Sequence, residues 1–264
     1  MLLVSSAAAA MRRSRQVHVN GRDYTLAEYV GAAPKHGVYV HGNEVNDNGL
    51  PQGFLVIQPP GAVTPAHFHD HNQFQVFVEG NGRIGAHPAS PLTVQYANGH
   101  TPYGPIVASD SGVKYFTLRQ RWDAGAKYLP ASRDKLVKGN QRARVKGDLG
   151  VASDEDRTTR REQLVETVFP READGLAGWL YRLGPGHACT LPEPADGGGQ
   201  YMVVTGGALV ADDAELPQHS VAFVSPDEGV YRAVAGRAGL DLLVLQFPRV
   251  AQTRLASAPA ASIR

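Results

Sequence analysis

Three of the ten histidines lie within five residues, at His67, His69 and His71, and Gln73 follows two residues later. Residues two apart in an extended strand point to the same face, so these four side chains share one face while Phe68 points to the other. Imidazoles that converge from one strand are suited to hold a divalent metal ion and leave coordination positions open for water or substrate. The spacing therefore predicts a metal site, with a metal-free site that binds a small molecule through hydrogen bonds as the alternative.

The segment around these residues resembles the first motif of the cupin superfamily, and the chain resembles two-domain, quercetinase-like cupin dioxygenases. That motif reads Gly, five residues, His-x-His, three residues, Glu, six residues, Gly. Gly61, His67, His69 and Gly80 match it, and Gln73 stands where the family has glutamate. The resemblance implies an all-β fold of two tandem cupin (double-stranded β-helix, jelly-roll) barrels. It also implies that His67, His69 and Gln73 are the metal ligands.

This chain departs from the family pattern at the second motif. That motif reads Pro-x-Gly, two residues, His, and it maps onto residues 102–107, where Val107 replaces the histidine. Valine cannot bind a metal, and His100 could replace it only if the turn were built differently, so the fourth ligand stays open. Tyr103 and His100, near the expected barrel mouth, are the candidate catalytic residues for proton transfer or substrate orientation. His71 matches a mouth position of the family rather than a ligand.

The predicted ligand set carries no charge of its own, because two imidazoles and an amide are all neutral. The charge of a bound divalent ion would stay uncompensated, so Gln73→Glu should tighten metal binding. The same uncompensated charge should attract an anionic ligand such as a carboxylate, enolate or phenolate. The ion would be Fe, Ni, Zn, Cu or Mn, and the sequence leaves open which of these it is.

Many short strands are indicated along the whole chain, because apolar runs of five to eight residues alternate with clusters of glycine and proline. Helical periodicity is limited to 25–30 and 157–165. A shift of 127 residues superposes the two halves of the sequence, with Gln73 on Gln200 and Gly80 on Gly207. The same shift places Pro194 and Asp196 opposite the two histidines of the motif, so the second barrel is predicted to lack the site.

These patterns predict five segments. Residues 1–35 form an N-terminal extension and arm, 36–122 the first cupin domain with the candidate metal site, and 123–165 a charged linker. Residues 166–250 form a degenerate second cupin domain and 251–264 a flexible tail. Arg12, Arg13 and Arg15 follow the apolar opening instead of preceding it, which is the wrong order for a secretory signal, and Met11 is an alternative start.

The overall composition favours a small-molecule partner. Its 26 basic and 25 acidic residues nearly cancel, which gives no reason to expect nucleic acid or an anionic membrane surface. A single cysteine excludes an internal disulfide and fits a cytoplasmic location. A homodimer is expected, since barrels of this kind cover their edge strands against a partner.

The predicted function is a metal-dependent enzyme that acts on a small anionic or phenolic molecule, with a dioxygenase as the leading reading. One alternative is a metal-dependent isomerase or lyase, which oxygen consumption would distinguish from a dioxygenase. The other is a non-catalytic small-molecule-binding or storage cupin, which would be stabilised by a ligand without turning it over.

Overall fold

A computed structural model describes residues 1–139, 141–212 and 214–249 of the 264-residue chain. The predicted tail, 251–264, lies outside the described residues. The elements of the first half are β1 (Leu2–Ser5), α1 (Ala7–Met11), β2 (Ser14–Val19), β3 (Arg22–Val30), β4 (Gln52–Gln58), β5 (Val63–Thr64), β6 (His67–Phe68), β7 (Gln73–Ile84), β8 (His87–Ala89), β9 (Val94–Ala97) and β10 (Ile106–Arg119).

The remaining elements are β11 (Lys127–Tyr128), β12 (Ala143–Lys146), α2 (Asp154–Thr159), β13 (Leu164–Phe169), β14 (Ala177–Leu183), β15 (Ala188–Thr190), β16 (Gln200–Ala211), β17 (Ala214–Pro217), β18 (Val221–Val224) and β19 (Arg232–Gln246). Three short 3-10 turns lie at Asn43–Asn46, Arg133–Lys135 and Pro194–Asp196. Two short α-helices beside these strands confirm the all-β prediction. None of the helices in the described part of the chain is long and apolar enough to cross a membrane.

The strands form two large antiparallel sheets, one for each barrel. The first barrel has the strand order β12-β9-β7-β10-β4-β3-β2, with β5 and β8 paired to β10 and β7. The second has the order β1-β18-β16-β19-β14-β13, with β15 and β17 paired to β19 and β16. The prediction of two tandem barrels is therefore confirmed.

Strand alternation decides which side chains enter the first barrel. On β10, Tyr115, Thr117 and Arg119 face the barrel interior, whereas Phe116 and Leu118 face the second half of the chain. The strand β7 alternates in the same way, because residues two apart on a pleated strand share a face. One sheet thus positions the polar interior of the first barrel and also one wall of the contact between the barrels.

The contact between the barrels is a continuous apolar core. The Phe74 ring centroid lies 5.0 Å from that of Tyr96 in the first half, and 4.8 and 6.3 Å from those of Phe247 and Phe169 in the second. The Tyr201 hydroxyl crosses the contact and donates a hydrogen bond to the carbonyl oxygen of Arg119 over 3.1 Å. The two barrels therefore pack directly against each other and stabilise each other.

The 127-residue frame reappears in the strand register. Arg119 pairs with Gln73 between β10 and β7, and Gln246 pairs with Gln200 between β19 and β16. Gly80, at φ +72°, has its equivalent in Gly207, at φ +68°. A Cβ atom at these positions would lie only 2.2 and 2.0 Å from a carbonyl oxygen of the neighbouring strand. Both barrels therefore need glycine at the same bend.

Two segments that were predicted to lie outside the barrels contribute strands to them. Within the predicted linker, 123–165, β11 pairs with β6 and β12 pairs with β9 of the first barrel. Within residues 1–35, β2 and β3 extend the first sheet, whereas β1 pairs with β18 of the second. The helical periodicity of 25–30 is a wrong prediction, since these residues belong to β3 and pair with β4. Pairing with the barrel sheet outweighs that local pattern.

Candidate functional site

His67, on β6, and His69 are buried side by side in the first barrel, with 3% and 7% of their surface exposed. The backbone of His67 exchanges two 3.0 Å hydrogen bonds with that of Tyr103, and the ring centroids of these residues lie 4.4 Å apart. The ring of Tyr128, on β11, lies 5.4 Å from that of His67. The two imidazoles approach edge to face, with centroids 5.3 Å apart.

Hydrogen bonds fix the tautomer of both imidazoles. Nδ1 of His67 lies 2.7 Å from the carbonyl oxygen of Pro65, which can only accept, so Nδ1 carries the proton. Nδ1 of His69 lies 2.7 Å from Oδ1 of Asp123 and donates to that carboxylate. Asp123 is itself held by the backbone N–H groups of Gly125 and Asp70, over 2.9 and 3.1 Å. Nε2 of each imidazole is therefore an unprotonated acceptor.

A buried guanidinium group, that of Arg119, contacts two of the three predicted ligands. Its Nε and Nη2 donate to Oε1 of Gln73 over 3.2 and 2.9 Å, and its Nη1 donates to Oε1 of Gln52 over 2.5 Å. Nη2 also lies against the ring of His69, 3.0 Å from Nε2 and 3.2 Å from Nδ1. Arg119 is only 1% exposed. The predicted ligand set is thus brought together around a cation that belongs to the chain.

Burial and neighbouring charges determine the protonation of the site. Burial, helped by the nearby His69, lowers the pKa of His67 to about 3. Burial and then the charge of Arg119 lower the pKa of His69, although Asp123 opposes them. Burial would raise the pKa of Asp123, but His69 and Arg119 together hold it well below its usual range. The site therefore holds two neutral imidazoles between one positive and one negative group.

These residues border a cavity of about 70 Å³ inside the first barrel. Four tyrosines give it aromatic walls, namely Tyr24, Tyr103, Tyr115 and Tyr128. The N-terminal strands β2 and β3 close one side, so residues of the predicted N-terminal arm belong to the site. Two polar atoms of residues that line it are buried without a hydrogen-bond partner in the described ranges: Oε1 of Gln75 and the Tyr103 hydroxyl oxygen. Such atoms are costly to leave unpaired, and they indicate a ligand or ordered water.

A divalent metal, which the fold family implies, does not fit this arrangement. Zinc bound to His69 at about 2.1 Å from Nε2 would lie within about 5 Å of Nη2 of Arg119, given the 3.0 Å contact between these nitrogens. At an effective dielectric constant of about 20, that repulsion costs about 7 kcal/mol. In the part of the chain described by the structure, no three His, Cys, Asp or Glu side chains are arranged to hold a metal ion.

The second predicted catalytic residue, His100, is not brought to the cavity. Its ring packs against Phe68, with centroids 5.7 Å apart, and its Nε2 lies 3.7 Å from Oδ1 of Asp70. Because Phe68 points away from the face that His67 and His69 share, His100 lies on the other side of the strand. His71 is also outside the cavity, with Nε2 3.8 Å from Oδ2 of Asp47.

Sequence reasoning missed Arg119 and Asp123. The signal for Arg119 was strand alternation, since it shares the inward face of β10 with two residues that line the cavity, Tyr115 and Thr117. A second signal was the 127-residue shift between the halves of the sequence, which makes Arg119 the equivalent of Gln246. Asp123 gave no local signal, because it lies in a charged segment that reads as a linker.

Comparison with known proteins identifies the fold. No protein-family model matches the chain, and neither does any curated protein. Among solved structures, a candidate dioxygenase of Nostoc punctiforme PCC 73102 is similar with a TM-score of 0.58 and 10% identity, over 95% of this chain and 85% of its own. YhhW of Escherichia coli has a TM-score of 0.56 and 10% identity, over 95% and 99%.

Oxalate decarboxylase of Bacillus subtilis is similar with a TM-score of 0.51 and 12% identity, over 94% of this chain and 78% of its own. At such low identity the likeness concerns the fold. These proteins have the cupin fold, and their similarity extends over both halves of the chain. The chain is therefore a cupin-fold protein with two barrels in tandem.

Proposed function

We propose that the first barrel binds a small anionic or phenolic molecule beside Arg119. One observation carries the proposal: Arg119 is a fully buried cation whose direct partners are the neutral side chains of Gln52, Gln73 and His69. A buried charge is unfavourable unless a charged or strongly hydrogen-bonding group compensates it. The carboxylate of Asp123 lies close by, since it bonds to the same Nδ1 of His69 that Nη2 of Arg119 contacts at 3.2 Å, but it makes no direct hydrogen bond to the guanidinium. An anionic ligand in the adjoining cavity would supply the missing direct partner.

The cavity also restricts the shape and hydrogen bonding of the ligand. Its tyrosine walls favour a flat, partly apolar molecule. The Tyr103 hydroxyl can donate to the ligand, whereas Nε2 of His67 can accept from a ligand hydroxyl. A small aromatic or unsaturated carboxylate, or a phenol, has these properties.

Ligand-induced thermal stabilisation at pH 7 tests the proposal. Benzoate should raise the melting temperature of the wild type, whereas benzylamine, a cation of similar size, should not. Arg119→Leu should abolish the benzoate effect. Gln246→Leu, at the equivalent position of the second barrel, should keep it. Equal stabilisation by benzoate and benzylamine, or equal loss in both variants, would contradict an anion site at Arg119.

A metal-dependent enzyme, with a dioxygenase as its leading form, is the second candidate function, and it requires the Arg119 side chain to move away from Nε2 of His69. The observation that favours it is the pair of imidazoles with unprotonated Nε2, one of them oriented by the carboxylate of Asp123 as metal-binding histidines commonly are. The similar oxalate decarboxylase of Bacillus subtilis contains Mn(II) centres. Metal analysis of protein purified from metal-supplemented cells, followed by oxygen consumption in a substrate screen, tests this candidate. Turnover without oxygen uptake would favour an isomerase or lyase.

A further inference from the structure

We infer that the first barrel contains a latent site for a divalent transition metal, and that the guanidinium group of Arg119 keeps it closed. The inference does not depend on which molecule the cavity binds. It concerns the cation that the residues around His67 and His69 accept: the side chain of Arg119 in the wild type, and a metal ion once that side chain is removed.

The two imidazoles keep their orientation without help from Arg119. His67 is anchored to the carbonyl oxygen of Pro65, and His69 to a carboxylate that two backbone N–H groups hold in place. These contacts come from segments that flank the strand. Removal of the guanidinium should therefore leave both Nε2 atoms buried, unprotonated and close together.

Gln73 and Asp123 change their role when the guanidinium is removed. Oε1 of Gln73 accepts two N–H groups of Arg119 and would be released as a neutral oxygen donor. Asp123 would become a buried carboxylate without a nearby cation, which favours binding of a positive ion. Two imidazoles, an amide oxygen and one compensating negative charge suit Co²⁺, Ni²⁺, Zn²⁺ or Cu²⁺.

The test is a titration with Co²⁺, followed by its visible absorption, together with metal stoichiometry after dialysis. Arg119→Leu should bind one Co²⁺ per chain at least tenfold more tightly than the wild type. His67→Ala added to Arg119→Leu should return binding to the wild-type level. Arg119→Lys keeps a positive charge in the cavity and should bind no more Co²⁺ than the wild type.

Two controls keep the result interpretable. Gln246→Leu makes the matched change in the second barrel, which lacks the histidines, and should gain no metal. If Arg119→Leu does not fold, Arg119→Gln keeps a polar side chain at the same place and takes over the test. Stoichiometric, His67-dependent Co²⁺ binding by the wild type would overturn the inference. It would also be overturned if a folded Arg119→Leu or Arg119→Gln variant bound Co²⁺ no more tightly than the wild type. Failure of benzoate binding alone would contradict the proposed function and leave this inference standing.

Discussion

The two barrels carry different polar side chains at the same strand positions. In the first barrel Gln73 accepts from Arg119, and the histidines and the cavity lie beside this pair. In the second barrel Gln200 donates to Gln246 over 2.9 Å, and both amides also donate to backbone carbonyl groups. The second pair is neutral, and Oε1 of Gln200 is buried without a hydrogen-bond partner among the described residues. The 127-residue frame thus provides a polar position inside each barrel, and the two barrels differ there by a single buried charge.

A second difference lies further along the same strands. Asp241 of β19 is 2% exposed, and Arg157, Arg160 and Arg182 surround it at 3.4, 2.9 and 3.7 Å. The equivalent position in the first barrel is Lys114, whose side chain is partly exposed and pairs with Glu79. The second barrel therefore uses buried charge to attach α2 and its neighbours, whereas the first uses buried charge at its cavity.

The largest expected effect comes from removing that buried charge. Asp241→Ala should lower the free energy of unfolding by about 3–5 kcal/mol, because it leaves the surrounding arginines without their shared carboxylate. Lys114→Ala, at the matched position, should change it by about 1 kcal/mol or less, as expected for a surface ion pair. Urea denaturation of both variants measures the difference. If both variants lost a similar free energy of unfolding, the burial of Asp241 would not add to its contribution to stability.

The next effect separates the two glutamines. Gln200→Glu places a carboxylate beside Oε1 of Gln246 and the carbonyl oxygen of Pro192, and should destabilise the protein by about 3 kcal/mol at pH 7. The folded-state pKa of the new carboxyl would be raised, so the folded protein binds more protons, and the loss should shrink as the pH falls towards 4. Denaturation curves at pH 7 and pH 4.5, corrected for wild type, measure it.

Gln73→Glu should behave in the opposite way. Its carboxylate would meet Nε and Nη2 of Arg119 and form a buried ion pair, so stability at pH 7 should be kept or increased. Because the new charge compensates Arg119, benzoate binding should weaken at least tenfold. This replaces the expectation from sequence that the change tightens metal binding, since Arg119 stands beside Gln73. Tight Co²⁺ binding by Gln73→Glu with Arg119 intact would contradict this account.

The sequence predicted what depends on local pattern. Alternation along one strand was enough to place His67, His69 and Gln73 on a common face, and glycines and strands in one frame were enough to indicate two barrels. The role of Arg119 was not predicted, because it lies 46 residues from Gln73 and contacts it only through the pairing of β7 with β10. That of Asp123 was not predicted for the same reason, since 54 residues separate it from His69. Contacts between distant segments depend on register, which local periodicity does not specify.

A smaller effect is the pH dependence of stability that His67 contributes in the first barrel. The pKa of His67 is lowered to about 3 in the folded protein, against about 6.5 for an unfolded chain. The unfolded state therefore binds more protons below pH 6.5, and the stabilising contribution of the neutral imidazole is lost as the pH falls through that range. Between pH 7 and pH 5 this one group should account for about 2 kcal/mol.

Unfolding free energies of wild type and His67→Phe at pH 7 and pH 5 measure that contribution. The variant should lose about 2 kcal/mol less than wild type over this interval. His87→Phe, which changes an exposed residue of β8, should show the wild-type pH dependence. If both variants respond alike, the pH dependence lies elsewhere in the molecule.

The smallest expected effect is that of Tyr103→Phe, and its sign distinguishes a ligand contact from a structural one. The hydroxyl group is buried without a hydrogen-bond partner among the described residues, so its removal should leave stability unchanged or raise it by about 1 kcal/mol. The same change should weaken binding of benzoate by about fivefold, since one hydrogen bond contributes about 1 kcal/mol. Tyr201→Phe is the matched control, because its hydroxyl donates to the carbonyl oxygen of Arg119 and its loss should lower stability. Calorimetric titration and thermal unfolding of both variants give the two readouts. A loss of stability without a loss of affinity in Tyr103→Phe would mean that this hydroxyl serves the fold, and that the ligand of the first barrel is held without it.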